Sequence, residues 1–185
     1  YPIEIFEHRR VHHIENCETK LVALEGGEYL NASNVIVATG AKWRQLEIPG
    51  EKEHIGLGVA FCAHCDGAFY KEKRVVVVGG GNSGVEAAID LANIAKEVTL
   101  LEFSDKLKAD DILIDKLKQT PNIKFITNAK STRVMGNGSK VFGIEYQDLN
   151  DNSHHVLSTD GIFVQIGLLP NTQFIKDLVK CTPSG

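Results

Sequence analysis

Six residues, Gly79-Gly80-Gly81-Asn82-Ser83-Gly84, separate the apolar run Val75-Val76-Val77-Val78 from a stretch carrying Val85, Ala88, Ile89 and Ala92 at helical spacing. A short apolar run stopped by glycine reads as a buried strand, and the periodicity after it predicts an amphipathic helix over about 83–95. A second apolar run, Val98-Thr99-Leu100-Leu101-Glu102, follows as the returning strand. Strand, helix and parallel strand impose a right-handed crossover, so the chain is expected to be α/β with a Rossmann-like unit. In that setting the Gly79-x-Gly81-x-x-Gly84 pattern predicts a dinucleotide site, although glycines also punctuate ordinary turns. Gly79 permits the tight turn, Gly81 lets the backbone approach a pyrophosphate, and Gly84 lets helix and strand pack closely. The free N–H groups that open the helix, with Gly80, Asn82 and Ser83 in the same loop, would hold the diphosphate charge.

Glu102 closes the second strand, where a carboxylate can accept hydrogen bonds from ribose hydroxyls and repel a 2′-phosphate. The residues after it, Phe103-Ser104-Asp105, contain no arginine, while Lys106 and Lys108 stay within reach. NADH is therefore expected over NADPH, the bland alternative being a solvated acid at a strand end.

Shortly before the glycine loop stands Cys62-Ala63-His64-Cys65, followed by Asp66-Gly67. A C-x-x-C pair suits rapid thiol–disulfide exchange. Half a zinc site and a pair of inert buried thiols are the other readings. The zinc reading needs two more ligands, and His54, His64, His12-His13 and His154-His155 offer no matching spacing. Neighbouring histidines on a strand also point to opposite faces. Asp66 is placed to exchange a proton with a leaving thiolate, or is simply a turn acid before Gly67. Two-electron thiol chemistry beside a nicotinamide site points to electron transfer from the nucleotide toward a disulfide, the alternative of another class being a non-enzymatic nucleotide-binding redox sensor.

Composition narrows the rest. Apolar residues make up 43% of the 185, charged residues 24%, and the net charge of −4 gives no basic stripe for nucleic acid. No apolar run is long enough to span a bilayer, and the first residues lack a signal-like apolar core. Cys17 and Cys181 are isolated, so the four cysteines do not form a secreted framework, and a reducing, cytoplasmic setting is expected. A β meander is predicted over 9–15, 20–24, 28–31 and 34–39. Its last run, Val35-Ile36-Val37-Ala38, is apolar throughout, as in a strand buried on both faces, and ends in Thr39-Gly40. An irregular stretch over 41–58 follows, in which Trp43 reads as a packing residue. A second helix is expected over 109–119 with Ile112, Leu113 and Leu117 inward. Short strands follow over 124–128, 131–135, 140–148, 154–158 and 162–166. The expected division is 46–158 as the nucleotide-binding, thiol-bearing domain, with 1–45 and 159–185 as two parts of a second domain that has no glycine-rich loop of its own. The chain reads as a piece of something longer.

With both motifs in view, the chain resembles the low-molecular-weight thioredoxin reductase family of flavoproteins. Within that family it is most similar to the flavoprotein subunits of bacterial alkyl hydroperoxide reductases. The resemblance rests on residues 38–44, His64-Cys65-Asp66-Gly67, residues 79–88, Leu100-Leu101-Glu102-Phe103 and residues 162–172. Thioredoxin reductases usually place Ala-Thr between the cysteines and basic residues where Glu102-Phe103 stands. Ala63 departs from the peroxide-system branch, which usually has proline there. The resemblance implies that the flanks 1–45 and 159–185 form a partial FAD-binding domain of similar fold, with Thr39, Gly40, Gly167, Pro170 and Asn171 near the flavin. It implies that Cys65 meets the flavin, Cys62 attacks the next disulfide and Asp66 handles the proton. It also implies an N-terminal thioredoxin-like module outside this sequence, a peroxiredoxin partner and a homodimer at full length. Weak or no FAD binding and no turnover are expected of these residues alone. Thiols and nicotinamide share one domain, so rotation about hinges at 41–45 and 158–161 is expected.

Overall fold

A computed structural model describes residues 2–182, which separate into two compact units, 2–42 with 168–182, and Trp43–Gly167. The first unit opens with an antiparallel meander of β1 (Val11–Asn16), β2 (Lys20–Leu24) and β3 (Tyr29–Ala32), the Gly26-Gly27 pair turning the second hairpin with positive φ at both residues. Ile14, Val22, Leu24 and Ile175 form its small core. Residues 34–39, expected as a buried strand, form none. Ile36 is 93% exposed, and no sheet among the described residues includes the segment. An apolar run needs neighbours on both faces to become a buried strand, and the described residues supply none. The chain then crosses in β4 (Ala41–Trp43), which pairs with the later strand that returns it.

The second unit contains β5 (Val59–Ala60), the one-turn helix α1 (Ala63–Asp66), β6 (Arg74–Val78), α2 (Asn82–Ala92), β7 (Glu97–Leu101), α3 (Asp111–Gln119) and β8 (Ile123–Ile126). The meander β9 (Ala129–Gly136), β10 (Val141–Asp148) and β11 (His154–Ser158) precedes β12 (Gly161–Val164), and β13 (Leu168–Pro170) returns to the first unit. Its main sheet is parallel throughout, in the order β5-β12-β6-β7-β8. Strand alternation splits the apolar side chains between two cores. Val75, Val77, Leu100 and Phe163 pack with Val85, Ala88 and Leu91 of α2. Val76, Val78, Ile162 and Val164 pack with Val134, Val141 and Ile144 of the meander. A sheet covered on both faces explains the unbroken valines of β6.

Three expectations change. Residues 159–167 belong to the second unit, because β12 lies between β5 and β6 in the parallel sheet, so the crossings fall at 42/43 and 167/168, not at 45/46 and 158/159. The expected hinge at 158–161 is instead stitched to the sheet: Asp160 N–H donates to the Arg74 carbonyl, Arg74 N–H donates to the Asp160 carboxylate, and the Thr159 hydroxyl donates to the Arg74 carbonyl. On α3, Leu117 is buried and Leu113 packs against the core, but Ile112 is 80% exposed. The five residues from Ile112 to Leu117 turn the helix about 140° past a full turn, which takes Ile112 off the inner face.

Candidate redox and dinucleotide site

Cys62 and Cys65 are joined in a disulfide, with Cα atoms 5.3 Å apart. Cys62 caps α1, and its sulfur accepts a hydrogen bond from the Cys65 N–H at 3.1 Å. Cys65 is exposed and Cys62 half-buried. The pair opens on a hollow of about 590 Å³, whose walls include Trp43, Phe61, Asp66, Phe69 and Tyr70. Trp43 stacks on Phe61 with ring centres 6.3 Å apart, so it packs as expected and also lines the site. Phe61 is held from the sheet side, its carbonyl accepting from the Gln165 side-chain amide at 2.7 Å. The Tyr70 ring meets Phe163 edge-on at 5.1 Å in space kept by Gly161, where a Cβ would run into that ring. Burial raises the Tyr70 phenol above its ordinary pKa, and the nearby Asp66 carboxylate adds to the rise. His64 points outward and pairs with Asp90 of α2 at 3.3 Å. Sequence reasoning missed Phe61, Phe69 and Tyr70; the aromatic pair Phe69-Tyr70, separated from Gly67 by one residue, was the available signal. Among the described residues no group of three or more His, Cys, Asp or Glu is placed to hold a metal, and Cys17 and Cys181 are free and exposed.

The glycine loop joins β6 to α2 as expected. Gly79 has φ +118°, and a Cβ there or on Gly84 would strike the carbonyl of Gln165 or of Gly79, respectively. A Cβ on Gly81, by contrast, would meet no protein atom within 4 Å. The fold does not need glycine at 81, and open ground there is what a pyrophosphate would occupy. Ser83 is exposed in the first turn of α2. Asn82 is clasped to Asp110: its side-chain amide donates to the Asp110 carboxylate at 3.0 Å, and its oxygen accepts the Asp110 N–H at 2.8 Å. Glu102 is buried rather than solvated, with both carboxylate oxygens accepting backbone N–H groups.

In the first unit Thr39, Gly40 and Asn171 come together. The Thr39 hydroxyl donates to the Asn171 carbonyl at 2.8 Å, the Asn171 amide donates to the Thr39 carbonyl at 2.9 Å, and the Asn171 N–H donates to the Gly40 carbonyl at 3.0 Å. Thr39, Pro170 and Asn171 line a hollow of about 990 Å³ with Arg9, Arg10 and Lys42. Gly167 lies in the second unit, its carbonyl accepting from the Arg44 N–H.

A parallel sheet with a glycine-rich crossover, and a C-x-x-C disulfide carried on the same unit, belong together in one family. The model of the pyridine nucleotide-disulphide oxidoreductases matches residues 3–185. The chain belongs to that family. It is 55% identical over 164 residues to the F subunit of alkyl hydroperoxide reductase from Pseudomonas putida, covering 89% of this chain and 32% of the relative. It is 51% identical to the protein of the same name from Staphylococcus aureus strain MRSA252, over 100% of this chain and 36% of the relative. The chain thus spans about a third of these relatives' length. Among solved structures it is similar to Lactococcus lactis thioredoxin reductase, with a TM-score of 0.84, 33% identity, and 96% of this chain and 58% of that one covered. Streptococcus pyogenes thioredoxin reductase gives a TM-score of 0.83 and 36% identity over the same shares. No helix among the described residues is long and apolar enough to cross a membrane.

Proposed function

We propose that this chain is the nicotinamide-binding and disulfide-bearing part of an NADH-dependent flavoprotein disulfide reductase that passes electrons toward a peroxiredoxin. The observation that carries the proposal is the Cys62–Cys65 disulfide at an open, aromatic-walled hollow on the unit that also bears the β6–α2 glycine loop. The N–H groups of Gly81, Asn82 and Ser83 would hold the pyrophosphate, with Glu102 accepting from the ribose and disfavouring NADPH. Thr39, Gly40, Pro170 and Asn171 are assigned to the flavin side, with Gly167 near it. The sequence has a single glycine-rich nucleotide loop, so FAD binding by these residues alone is expected to be weak, and flavin absorbance co-purifying with the chain would overturn that.

When bound at the β6–α2 loop, NADH would supply a hydride, and FAD on the Thr39–Asn171 side would supply the two-electron chemistry that links it to the disulfide. The Cys62–Cys65 bond takes up two electrons and two protons to give two thiols, or one proton to give a thiol and a thiolate. Cys65, the exposed sulfur, is assigned the flavin-facing role. Cys62, whose sulfur accepts the Cys65 N–H, keeps the thiolate and attacks the next disulfide. Asp66 lines the same hollow and carries the proton.

The names of the curated relatives support the peroxide-reducing branch, while thioredoxin reductase is the second reading, favoured by the names of the solved structures. The test uses the intact protein that contains this chain. Replacing Cys62 or Cys65 by serine should abolish reduction of a peroxiredoxin while leaving NADH-dependent flavin reduction in place. Unchanged peroxiredoxin reduction by either variant sinks the proposal, and faster turnover of free thioredoxin than of peroxiredoxin selects the second reading. A cytoplasmic, dimeric enzyme is the setting proposed for the intact protein.

A further inference from the structure

Glu102 is engaged more fully than a ribose contact alone would require. Its carboxylate is buried at the end of β7, where Oε2 accepts the Gly80 N–H at 2.6 Å and Oε1 accepts the Ser104 N–H at 2.8 Å. Gly80 is a position that the Gly79-x-Gly81-x-x-Gly84 pattern leaves open, yet a Cβ there would lie 2.8 Å from Glu102 Oε2 and 2.8 Å from Leu107 Cδ2. The Gly80 carbonyl accepts the Lys108 N–H at 2.8 Å. Both polar groups of Gly80 are therefore held by the segment that follows β7. The Asn82–Asp110 clasp ties the same two segments together again at the start of α2.

We propose that Glu102 is the positioning residue of the pyrophosphate loop as well as an acceptor for ribose hydroxyls, so that coenzyme choice and loop shape hang on one carboxylate. The inference rests on the nicotinamide-nucleotide reading above. The two roles are compatible, because an ionised carboxylate offers about four lone-pair sites and two backbone N–H groups leave capacity for hydroxyls. They are also inseparable. Exchanging the acid for serine or arginine to admit a 2′-phosphate leaves the Gly80 and Ser104 N–H groups without their acceptor, and for the buried Gly80 donor the loss of its partner is costly. That single exchange does not convert the site to NADPH; it weakens every ligand that needs the loop.

The test is a binding cycle with this chain, titrating ADP and 2′,3′-dideoxy-ADP, which share the pyrophosphate and differ only in the ribose hydroxyls. Glu102→Gln keeps the side chain's shape but turns an amide NH2 toward one of the two N–H donors. The expected result is about tenfold or greater weakening of both ligands, the dideoxy compound included. Amide exchange should speed up at Gly80 and Ser104 while β6 and β7 keep their protection, which a general loss of structure would not allow. Gly80→Ala, which pushes on the carboxylate from the loop side, should weaken dideoxy-ADP as well and serves if the glutamine variant does not fold. Unchanged affinity of the variants for dideoxy-ADP, with only ADP weakened, overturns the positioning role. Failure of the unaltered chain to bind either ligand overturns the nucleotide reading and this one together.

Discussion

Tyr70 shows how one buried side chain links packing to the chemistry of the hollow. Its ring is fixed between Phe163 and the space left by Gly161, and its phenol lies in the wall it shares with Asp66. Burial and then the Asp66 charge raise its pKa, so the hydroxyl stays protonated through neutral pH as a neutral donor. A phenol raised in the folded state contributes stability that is complete below its unfolded value near 10. That contribution is lost as pH climbs through the higher folded value, where the unfolded chain has already released its proton. Tyr146, raised by burial and then by Asp148, behaves in the same sense. Urea midpoints measured from about pH 9 to 11.5 should therefore fall less steeply for Tyr70→Phe than for the unaltered chain. Parallel curves would mean that Tyr70 titrates alike in both states.

Elements were legible wherever the sequence pattern contained its own partners. β6, α2 and β7 follow one another in the chain and pack on one another, so valine run, glycine loop and helical periodicity sufficed to place them. The glycine-rich turn between β6 and α2 was readable for the same reason, and so was the closeness of Cys62 and Cys65. Residues 34–39 failed because their apolar pattern calls for neighbours the described residues do not provide. The strand at 161–164 was assigned to the wrong unit because an apolar run does not name the sheet it joins. Glu102 was placed at the right strand end, but its hold on Gly80 depends on a contact 22 residues distant in sequence, which no local pattern records. The phase of α3 was misjudged at Ile112, and mutation can check the corrected one. Leu117→Ala removes a side chain that is 1% exposed and should cost about 2–5 kcal/mol, read from urea or thermal unfolding. Ile112→Ser, on the outer face, should change stability by no more than about 0.5 kcal/mol. Equal losses would return Ile112 to the core.

At the scale of the whole chain the two units are unequally built. Trp43–Gly167 has a sheet covered on both faces and two cores, whereas the core cluster of the first unit, among the described residues, is the small set Ile14, Val22, Leu24 and Ile175. Local opening follows buried apolar packing, so the two should differ in their resistance to a protease. Thermolysin, which cuts beside apolar residues, should cleave first near Val35, Ile36 and Val37, which are exposed and outside any sheet. A nicotinamide nucleotide should then act on one unit alone. A ligand that binds only the folded state at one hundred times its dissociation constant adds about 2.7 kcal/mol to whatever it binds. With NADH at that excess, cleavage within 43–167 should slow strongly while cleavage at 34–39 keeps its rate. The two rates can be followed in one digest by mass spectrometry. Equal protection of both regions would show that the nucleotide stabilises the units together; protection of neither would remove the dinucleotide site from the β6–α2 loop.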